Sequence, residues 1–248
     1  MTAMDSRYKR SILIINPNTT SAMTDGLKPL VESLGLDTTR VGYFTAPEGV
    51  PSINNETDAA ESAEACLPKL KTELENYDAF LVCCYSQHPL VPQLRKAMVD
   101  AGMNKPVTGI FEASVGVCLQ SIDIGEKFGI VSTGSQWEEI LGDAVTAIVG
   151  AKFSERYAGC QTTGLNADEL HTAPKEEVDK RMKEATKRLL DEGAKAICLG
   201  CAGMAGMDQT VREACIEALG EEDGRRITIV DGVVAGTIFL EGAVRAGL

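Results

Sequence analysis

One short pattern occurs twice in this chain, and the repeat constrains the fold more than any other feature of the sequence. The stretch DAFLVCCYSQHP carries Cys84, and the stretch KAICLGCAGMAG carries Cys201. In each stretch an apolar run ends near the cysteine, and small or polar residues follow it. The two cysteines lie 117 positions apart, and Arg95 and Arg212 match at the same offset. The repeat predicts two related halves with an equivalent cysteine in each.

Short apolar runs alternate with longer amphipathic stretches, which is the pattern of repeated βαβ units. Runs such as SILII indicate buried strands, and the segments between them carry apolar residues at helical spacing. The predicted strands are 11–15, 41–45, 79–83, 107–110, 128–131, 196–199 and 227–230. The predicted helices are 21–34, 56–77, 91–99, 113–122, 136–149, 174–190, 209–219 and 233–246. The sequence therefore predicts an α/β fold of two pseudosymmetric open lobes with mainly parallel sheets.

Two polar segments indicate where the lobes divide. NKP at 104–106 and GEEDGRR at 220–226 interrupt the alternation. We expect lobe I to comprise residues 1–105 and 223–248, with the first cysteine, and lobe II to comprise residues 106–222, with the second. The apolar stretch VVAGTIFLEGAV near the end needs a surface to cover, which favours its return to lobe I. The active site is expected in the cleft between the lobes.

The composition argues against several classes of function. A net charge of −12 over 248 residues, with no basic stripe, argues against a nucleic-acid partner, because phosphates favour clustered Lys and Arg. No apolar run is long enough to span a bilayer, and the N-terminal apolar stretch is too short for a signal peptide. Most of the eight cysteines lie inside apolar runs, where buried reduced thiols are expected. We therefore expect a cytoplasmic homo-oligomer that binds a small molecule and no membrane.

Ligands of open α/β sheets bind beyond the carboxyl ends of the strands, and four loops of this chain are predicted to lie there. They are NPNTT at 16–20, CYSQH at 84–88, STGS at 132–135 and CAGMAG at 201–206. None contains Lys or Arg, so backbone N–H groups at helix N-termini would attract anionic or carbonyl oxygens. The same helix dipole is expected to lower a cysteine pKa toward neutrality. Cys84 and Cys201 are therefore the best candidates for reactive thiols.

Two thiols that approach one cleft from opposite sides would fit stereoinversion at carbon. One removes a proton from one face of the carbon, and the other delivers a proton to the opposite face. A tuned thiol can hold or release a proton near neutral pH. A histidine pair is a poorer candidate, because the chain has only His88 and His171.

Five motifs carry a resemblance to a known family: INPNTT, CCYSQHP, PVTGIFEA, LGCAGMA and VDGV. Together they resemble the aspartate/glutamate/hydantoin racemase superfamily, and most closely its hydantoin and allantoin racemase branch. The resemblance runs from about residue 12 to about residue 243. It implies two α/β lobes, no metal or organic cofactor, and a cysteine pair acting as acid and base. Matched by motif, this pair is Cys84 and Cys201, which the internal offset selects independently.

The resemblance implies a racemase, an isomerase acting on a carbon next to a carbonyl in a 5-substituted hydantoin, allantoin or a related ureide or amino-acid derivative. One departure concerns the residues after Cys84. Bacterial hydantoin racemases tend to have small and acidic residues there, whereas this chain has YSQH. The predicted substrate-binding residues lie in the four loops and just after one strand. They are Asn16, Thr19, Thr20, Ser86, Glu112, Ser132, Thr133, Gly134, Ala202 and Gly203.

Structural explanations compete with these roles. Cys198 and Cys201 form a C-x-x-C, which could indicate a zinc site or a redox pair. A structural zinc site needs four ligands, usually from two such motifs, and the chain has no second C-x-x-C. A redox pair of this type opens a helix, whereas Cys198 lies in a predicted strand. The glycines of GCAGMAG lack the spacing of a dinucleotide loop. Cys83 is expected in the core because alternation points it away from its neighbour. His88 either caps the next helix or contacts substrate, and His171 is expected to be solvated.

Two other functions remain open on the sequence. A lyase of the arylmalonate decarboxylase type shares the fold but uses one cysteine to reprotonate an enolate, so the presence of both Cys84 and Cys201 counts against it. A non-catalytic binder of small carboxylates or ureides would keep its affinity after both cysteines were replaced.

Overall fold

Two four-stranded parallel sheets organise the chain in the computed structural model, which describes residues 8–150 and 155–248. One sheet belongs to a unit formed by Met1–Ile110 and Gly236–Leu248, and the other belongs to a unit formed by Phe111–Ala235. Within the described residues every strand pairing is parallel. The predicted α/β class with parallel sheets is confirmed.

The first unit is built around β1 (Arg10–Asn16), in which every residue after the first is buried. Such a continuous buried run is typical of a parallel strand covered by helices on both faces. The strand order is β2-β1-β3-β4, with β2 at Thr39–Thr45, β3 at Ala79–Val82 and β4 at Val107–Gly109. Its helices are α1 (Ser21–Glu32), α2 (Glu56–Leu70, followed by a 3₁₀ turn at Lys71–Glu73) and α3 (Leu90–Asp100).

The second unit repeats this plan around β5 (Lys127–Ser132). Its strand order is β6-β5-β7-β8, with β6 at Tyr157–Thr162, β7 at Ala194–Leu199 and β8 at Thr228–Asp231. The helices are α4 (Ile110–Ser121), α5 (Trp137–Val149), α6 (Glu169–Thr172), α7 (Lys175–Asp191), α8 (Asp208–Leu219) and α9 (Glu221–Arg226). A 3₁₀ turn at Ala202–Met204 follows β7, and α10 (Gly232–Ala246) begins in this unit and ends in the first.

A matching side-chain contact supports the predicted relation between the halves. In the first unit, Arg95 donates from Nε and from a terminal nitrogen to the carbonyl oxygen of Val107, at 3.0 and 2.8 Å. In the second unit, Arg212 donates to the carbonyl oxygen of Gly224 at 2.6 Å. Donor and acceptor both recur 117 positions later in the chain. The repeat therefore extends from the sequence pattern to a side-chain contact made by the equivalent helices α3 and α8.

Strand β6 was not among the predicted strands. Its sequence, YAGCQT, has no continuous apolar run, and it lies at the edge of its sheet, where only part of each face is covered. Gly159 adopts a φ of 104°, which favours glycine, and the pairing with β5 shifts register between Phe128 and Ile130. An irregular edge strand of this kind leaves little periodic signal.

The segment GEEDGRR, which was expected to be a polar connection, forms α9. Two pairs spaced four residues apart, Glu221 with Arg225 and Glu222 with Arg226, lie along its exposed side. Gly224 allows the helix to approach its neighbour closely, because a Cβ there would lie only 2.6 Å from the backbone nitrogen and α-carbon of Ile216 on α8.

The units also divide at positions that differ from those expected. The expected divisions, after residues 105 and 222, fall before β4 and β8. In the structure β4 pairs with β3 and therefore belongs to the first unit. In the same way, β8 pairs with β7 and belongs to the second unit. The return to the first unit comes within α10, at residues 235–236. Among the described residues, no helix combines the length and apolar character needed to cross a membrane.

Candidate functional site

Each sheet has one switch point, where successive strands of the chain are added first on one side of a central strand and then on the other. From β1 the chain moves outward to β2 and then returns to β3 on the other side of β1, and the path from β5 through β6 to β7 is equivalent. Loops that leave adjacent strands on opposite sides create a crevice at the carboxyl edge of an open sheet. The four predicted loops flank these two points, since they follow β1, β3, β5 and β7.

In the first unit, the loop after β1 is held in shape by Asn16, which is buried. Its side-chain NH₂ group lies 3.0 Å from Asn18 Oδ1 and 3.0 Å from Thr24 Oγ1, and its side-chain oxygen accepts the Asn18 N–H. Thr19 donates its N–H to the carbonyl oxygen of Val50. Asn16 is therefore positioned to shape the loop. Thr19 and Thr20 are half buried and lie at the surface of the loop.

The loop after β3 presents Cys84 as a half-exposed thiol. The Cys84 sulfur lies 3.6 Å from the hydroxyl oxygen of Ser86, which is itself buried. Because the Cys83 N–H donates to the carbonyl oxygen of Ile15, this loop is fixed to the end of β1. The structure thus brings the two predicted loops of the first unit to adjacent strand ends.

His88 closes the Cys84 loop and lies two residues before the start of α3. Its Nδ1 accepts the Leu90 N–H at 3.2 Å, and its Nε2 lies 3.1 Å from the hydroxyl of Ser62. The first contact requires the ring proton on Nε2, so Nε2 donates to Ser62. Burial lowers the pKa of His88 to about 4, which keeps the ring neutral. Of the two roles open on the sequence, the structure supports the helix-capping one.

In the second unit, the loop after β5 is tied to its neighbours by polar contacts. The Ser132 hydroxyl donates to the carbonyl oxygen of Gly200 at 2.9 Å. The carbonyl oxygen of Thr133 accepts the Gly164 N–H at 2.9 Å, and the carbonyl oxygen of Gly134 accepts the Trp137 N–H at the start of α5. Ser132, Thr133 and Gly134 are buried, so they fix the loop beside the end of β7.

Cys201 lies two residues after the end of β7, and the residue as a whole is partly exposed. Its sulfur accepts the Gly203 N–H at 3.3 Å, within the 3₁₀ turn that also contains Ala202. Burial raises the pKa of the Cys201 thiol to about 11, and backbone N–H groups of Gly203 and Met204 oppose this rise without cancelling it. The prediction of a pKa lowered toward neutrality is therefore wrong for Cys201.

No helix dipole offsets the burial of Cys201, because the elements that follow the thiols differ from those predicted. The prediction placed each cysteine at the N-terminus of an α-helix, where the summed peptide dipoles favour a thiolate. Cys201 is followed by a three-residue 3₁₀ turn, and α8 begins only at Asp208. Cys84 is separated from the first residue of α3, Leu90, by the loop that His88 closes. Neither thiol lies in the first turn of an α-helix.

Comparison with known proteins identifies the family. A family model for Asp/Glu/hydantoin racemases matches residues 12–238. The chain belongs to this family. It is 36% identical to an uncharacterized protein of Schizosaccharomyces pombe, over 96% of this chain and 93% of the relative. It is 29% identical to a hydantoin racemase of a Pseudomonas species, over 95% of this chain and 86% of that protein.

A solved structure agrees with the family assignment. The allantoin racemase of Klebsiella pneumoniae matches with a TM-score of 0.78 at 26% identity, over 97% of this chain and 89% of that one. The predicted resemblance and the predicted enzyme class, a racemase-type isomerase, are confirmed.

The other cysteines of this racemase-family chain that the sequence analysis weighed are structural. Cys83 is buried, as expected, and Cys198 is fully buried within β7. The Cys198 sulfur lies 3.2 Å from the sulfur of Cys118 on α4. Cys198 thus points into the core, away from the loop that carries Cys201. Among residues 8–150 and 155–248, no group of three or more His, Cys, Asp or Glu side chains could hold a metal ion.

Two features near Cys201 were missed by the sequence analysis. Asp231, the last residue of β8, accepts the N–H groups of Val233 and Val234 at 2.7 and 3.2 Å. It also accepts the Gly206 N–H, so one carboxylate joins the start of α10 to the Cys201 loop. The motif VDGV contained this residue but no role was assigned to it. The second feature is His171, which was expected only to be solvated and which lies near the Cys201 loop.

Glu112 lies in the first turn of α4 and is half buried. It lies just after β4, as the sequence predicted, with only the first two residues of α4 between them.

Proposed function

We propose that this chain is a cofactor-independent racemase that inverts the carbon next to a carbonyl in a 5-substituted hydantoin, allantoin or a related small ureide or amino-acid derivative. The observation that carries the proposal is the repeated position of Cys84 and Cys201. Each is a partly exposed cysteine beside the switch point of its own sheet, at equivalent places in two matching strand orders. The substrate class is taken from the relatives that are named hydantoin and allantoin racemases.

The proposed chemistry uses the two thiols as an acid/base pair. The carbonyl acidifies the α-proton of such a ring, so a thiolate can remove it; the C–H bond breaks, an S–H bond forms, and an enolate results. The second thiol then gives its proton to the opposite face of the carbon, which completes inversion. The two thiols exchange roles for the opposite enantiomer.

The surroundings of Cys201 support an assignment of roles. Because burial raises its pKa to about 11, Cys201 enters the reaction protonated at neutral pH and delivers the proton. Cys84, with the Ser86 hydroxyl beside it, then takes the role of base for the same enantiomer.

The enolate needs hydrogen-bond donors around its oxygen, and such donors act more strongly where water is excluded. We propose that backbone N–H groups of Gly134 and Ala202 bind the substrate oxygens, with Ser86 and Gly203 beside the thiols. Thr19 and Thr20, whose hydroxyls donate to the carbonyl oxygens of Val50 and Pro51, would line the loop surface that faces the substrate. Asn16, Ser132 and Thr133 would contribute by fixing the loops, since their side chains or carbonyl groups already bond within the protein. Glu112 would accept an N–H of the ureide.

The test is α-deuteration and loss of optical rotation in D₂O, with single enantiomers of hydantoins, allantoin and acidic amino acids as substrates. We expect Cys84→Ser and Cys201→Ser each to reduce inversion in both directions by about 10³-fold, because general acid/base groups contribute on this scale. Each single variant can still exchange the α-proton of one enantiomer, since removal and return on one face need only one thiol. The matched controls are Cys83→Ser and Cys198→Ser, whose sulfurs are buried.

Other outcomes would overturn the proposal in distinct ways. Near-normal inversion by Cys201→Ser would exclude the two-thiol mechanism, and release of CO₂ from a malonate substrate would favour a lyase. Undiminished ligand binding by a double Cys84→Ser/Cys201→Ser variant, with no turnover by the wild type on any substrate, would indicate a binding protein.

A further inference from the structure

One histidine of the second unit lies beside Cys201. A methyl group built on the α-carbon of Gly203 would lie 3.4 Å from His171 Nε2 and 3.5 Å from Cys201 Sγ. Since both distances start at the same point, the sulfur and the ring nitrogen can be no further apart than their sum. One water molecule that hydrogen-bonds to both groups, about 3 Å from the nitrogen and somewhat further from the sulfur, spans most separations within this limit. Because residue 203 is glycine, no side-chain carbon contacts the two groups at this point.

The histidine is held at this place by its own short helix. In α6, the His171 N–H donates to the carbonyl oxygen of Asp168, and the Glu169 carboxylate accepts the Asn166 N–H at 2.7 Å. Leu170, the preceding residue, is buried in the core of the unit and anchors the helix. His171 itself is exposed. One side of the ring therefore faces the Cys201 loop while the residue as a whole remains in contact with solvent.

A two-thiol racemase must restore the protonation states of both thiols after every turnover. When Cys201 has delivered its proton it is a thiolate, and Cys84 holds the proton taken from the substrate. Before the same enantiomer can react again, Cys201 must regain a proton and Cys84 must lose one. Burial disfavours a lone charge on the Cys201 sulfur, so a nearby group that exchanges protons with solvent would speed this step.

We infer that His171 exchanges the Cys201 proton with solvent through a bridging water molecule. In the resetting direction, an imidazolium at His171 gives its Nε2 proton to the water, and the water gives a proton to the Cys201 thiolate. The S–H bond forms as the Nε2–H bond breaks, and the ring regains its proton from bulk solvent. The reverse sequence removes the thiol proton. His171 acts through Cys201 and touches no substrate; the inference rests on the proposed function.

The test uses the full chain with His171→Gln, which keeps a polar side chain and removes the base. We expect kcat to fall about 10-fold with KM unchanged, because resetting slows while binding is untouched. Added imidazole should restore kcat in proportion to its concentration, since a free base can replace the missing ring. The matched control is Thr172→Val on the same helix, since the Thr172 hydroxyl donates to the carbonyl oxygen of Asp168. This variant should keep the wild-type kcat, and added imidazole should not change it.

Two results would overturn the inference while leaving the proposed function intact. One is an unchanged kcat in His171→Gln, and the other is a fall that imidazole does not restore, which would mean that the residue only supports α6. If the wild type itself inverts none of the substrates, the proposed function fails first, and the inference fails with it. The wild-type assay therefore separates the two failures.

Discussion

Replacement of His88 tests how the Cys84 loop is held. The ring is buried, its pKa is lowered to about 4, and the reference value in an unfolded chain is 6.5. As the pH falls from 6.5 toward 4, His88 is protonated in the unfolded state but stays neutral in the folded state. The free energy of unfolding therefore decreases over this pH range. The full loss below pH 4 is about 3 kcal/mol, and at pH 5 it is about 2 kcal/mol.

The assay is urea unfolding of the wild type and of His88→Asn at several pH values between 7.5 and 5. The asparagine oxygen can still accept the Leu90 N–H, so we expect a cost of about 1 kcal/mol at pH 7.5 from the lost bond to Ser62. At pH 5 the variant should equal or exceed the wild type, because it has no ring to protonate. Ser62→Ala is the control: it should lower stability and keep the wild-type pH dependence. Parallel curves for wild type and His88→Asn would refute the reasoning.

Three further variants test other contacts. Asp231→Asn should gain stability relative to the wild type as the pH rises, because burial raises the pKa of Asp231 and its ionised form costs stability above that pKa; urea unfolding from pH 4 to pH 8 measures this. Glu241→Ala should lower the free energy of unfolding by roughly 1–3 kcal/mol, because this buried carboxylate accepts hydrogen bonds from Thr39 and Arg245, each at 2.6 Å; urea unfolding measures the change. Cys198→Ser should lose roughly 1–3 kcal/mol and still racemise, as chiral chromatography of the product would verify.

The repeat explains how much of the fold the sequence could predict. An offset of 117 maps β2, at Thr39–Thr45, onto 156–162, which is the place of the unpredicted strand β6. The structure repeats the strand-end contacts as well: the Ala46 N–H donates to the carbonyl oxygen of Asn16, and the Thr163 N–H donates to that of Ser132. Applied to every strand, the offset would have found β6 despite its weak periodicity.

The candidate site was less predictable because its properties depend on burial and on contacts between distant segments. The sequence selected Cys84 and Cys201 from their repeated position and from the motifs around them. The raised pKa of Cys201 depends on its burial and on which turn follows it, and neither can be taken from the motif GCAGM. In the same way, Asp231 reaches Gly206 only because β8 pairs with β7.

The two cysteines follow equivalent strands, β3 and β7, and differ in the group that faces each thiol. Two residues after Cys84 the chain has Ser86, whose hydroxyl can donate or accept and so suits either protonation state of the sulfur. Two residues after Cys201 it has Gly203, whose N–H can only donate and favours a thiolate, yet burial outweighs this donor. Two thiols in identical surroundings would compete equally for one proton. In the proposed mechanism, unequal surroundings determine which thiol starts protonated, and this makes Cys201 the donor in the first turnover.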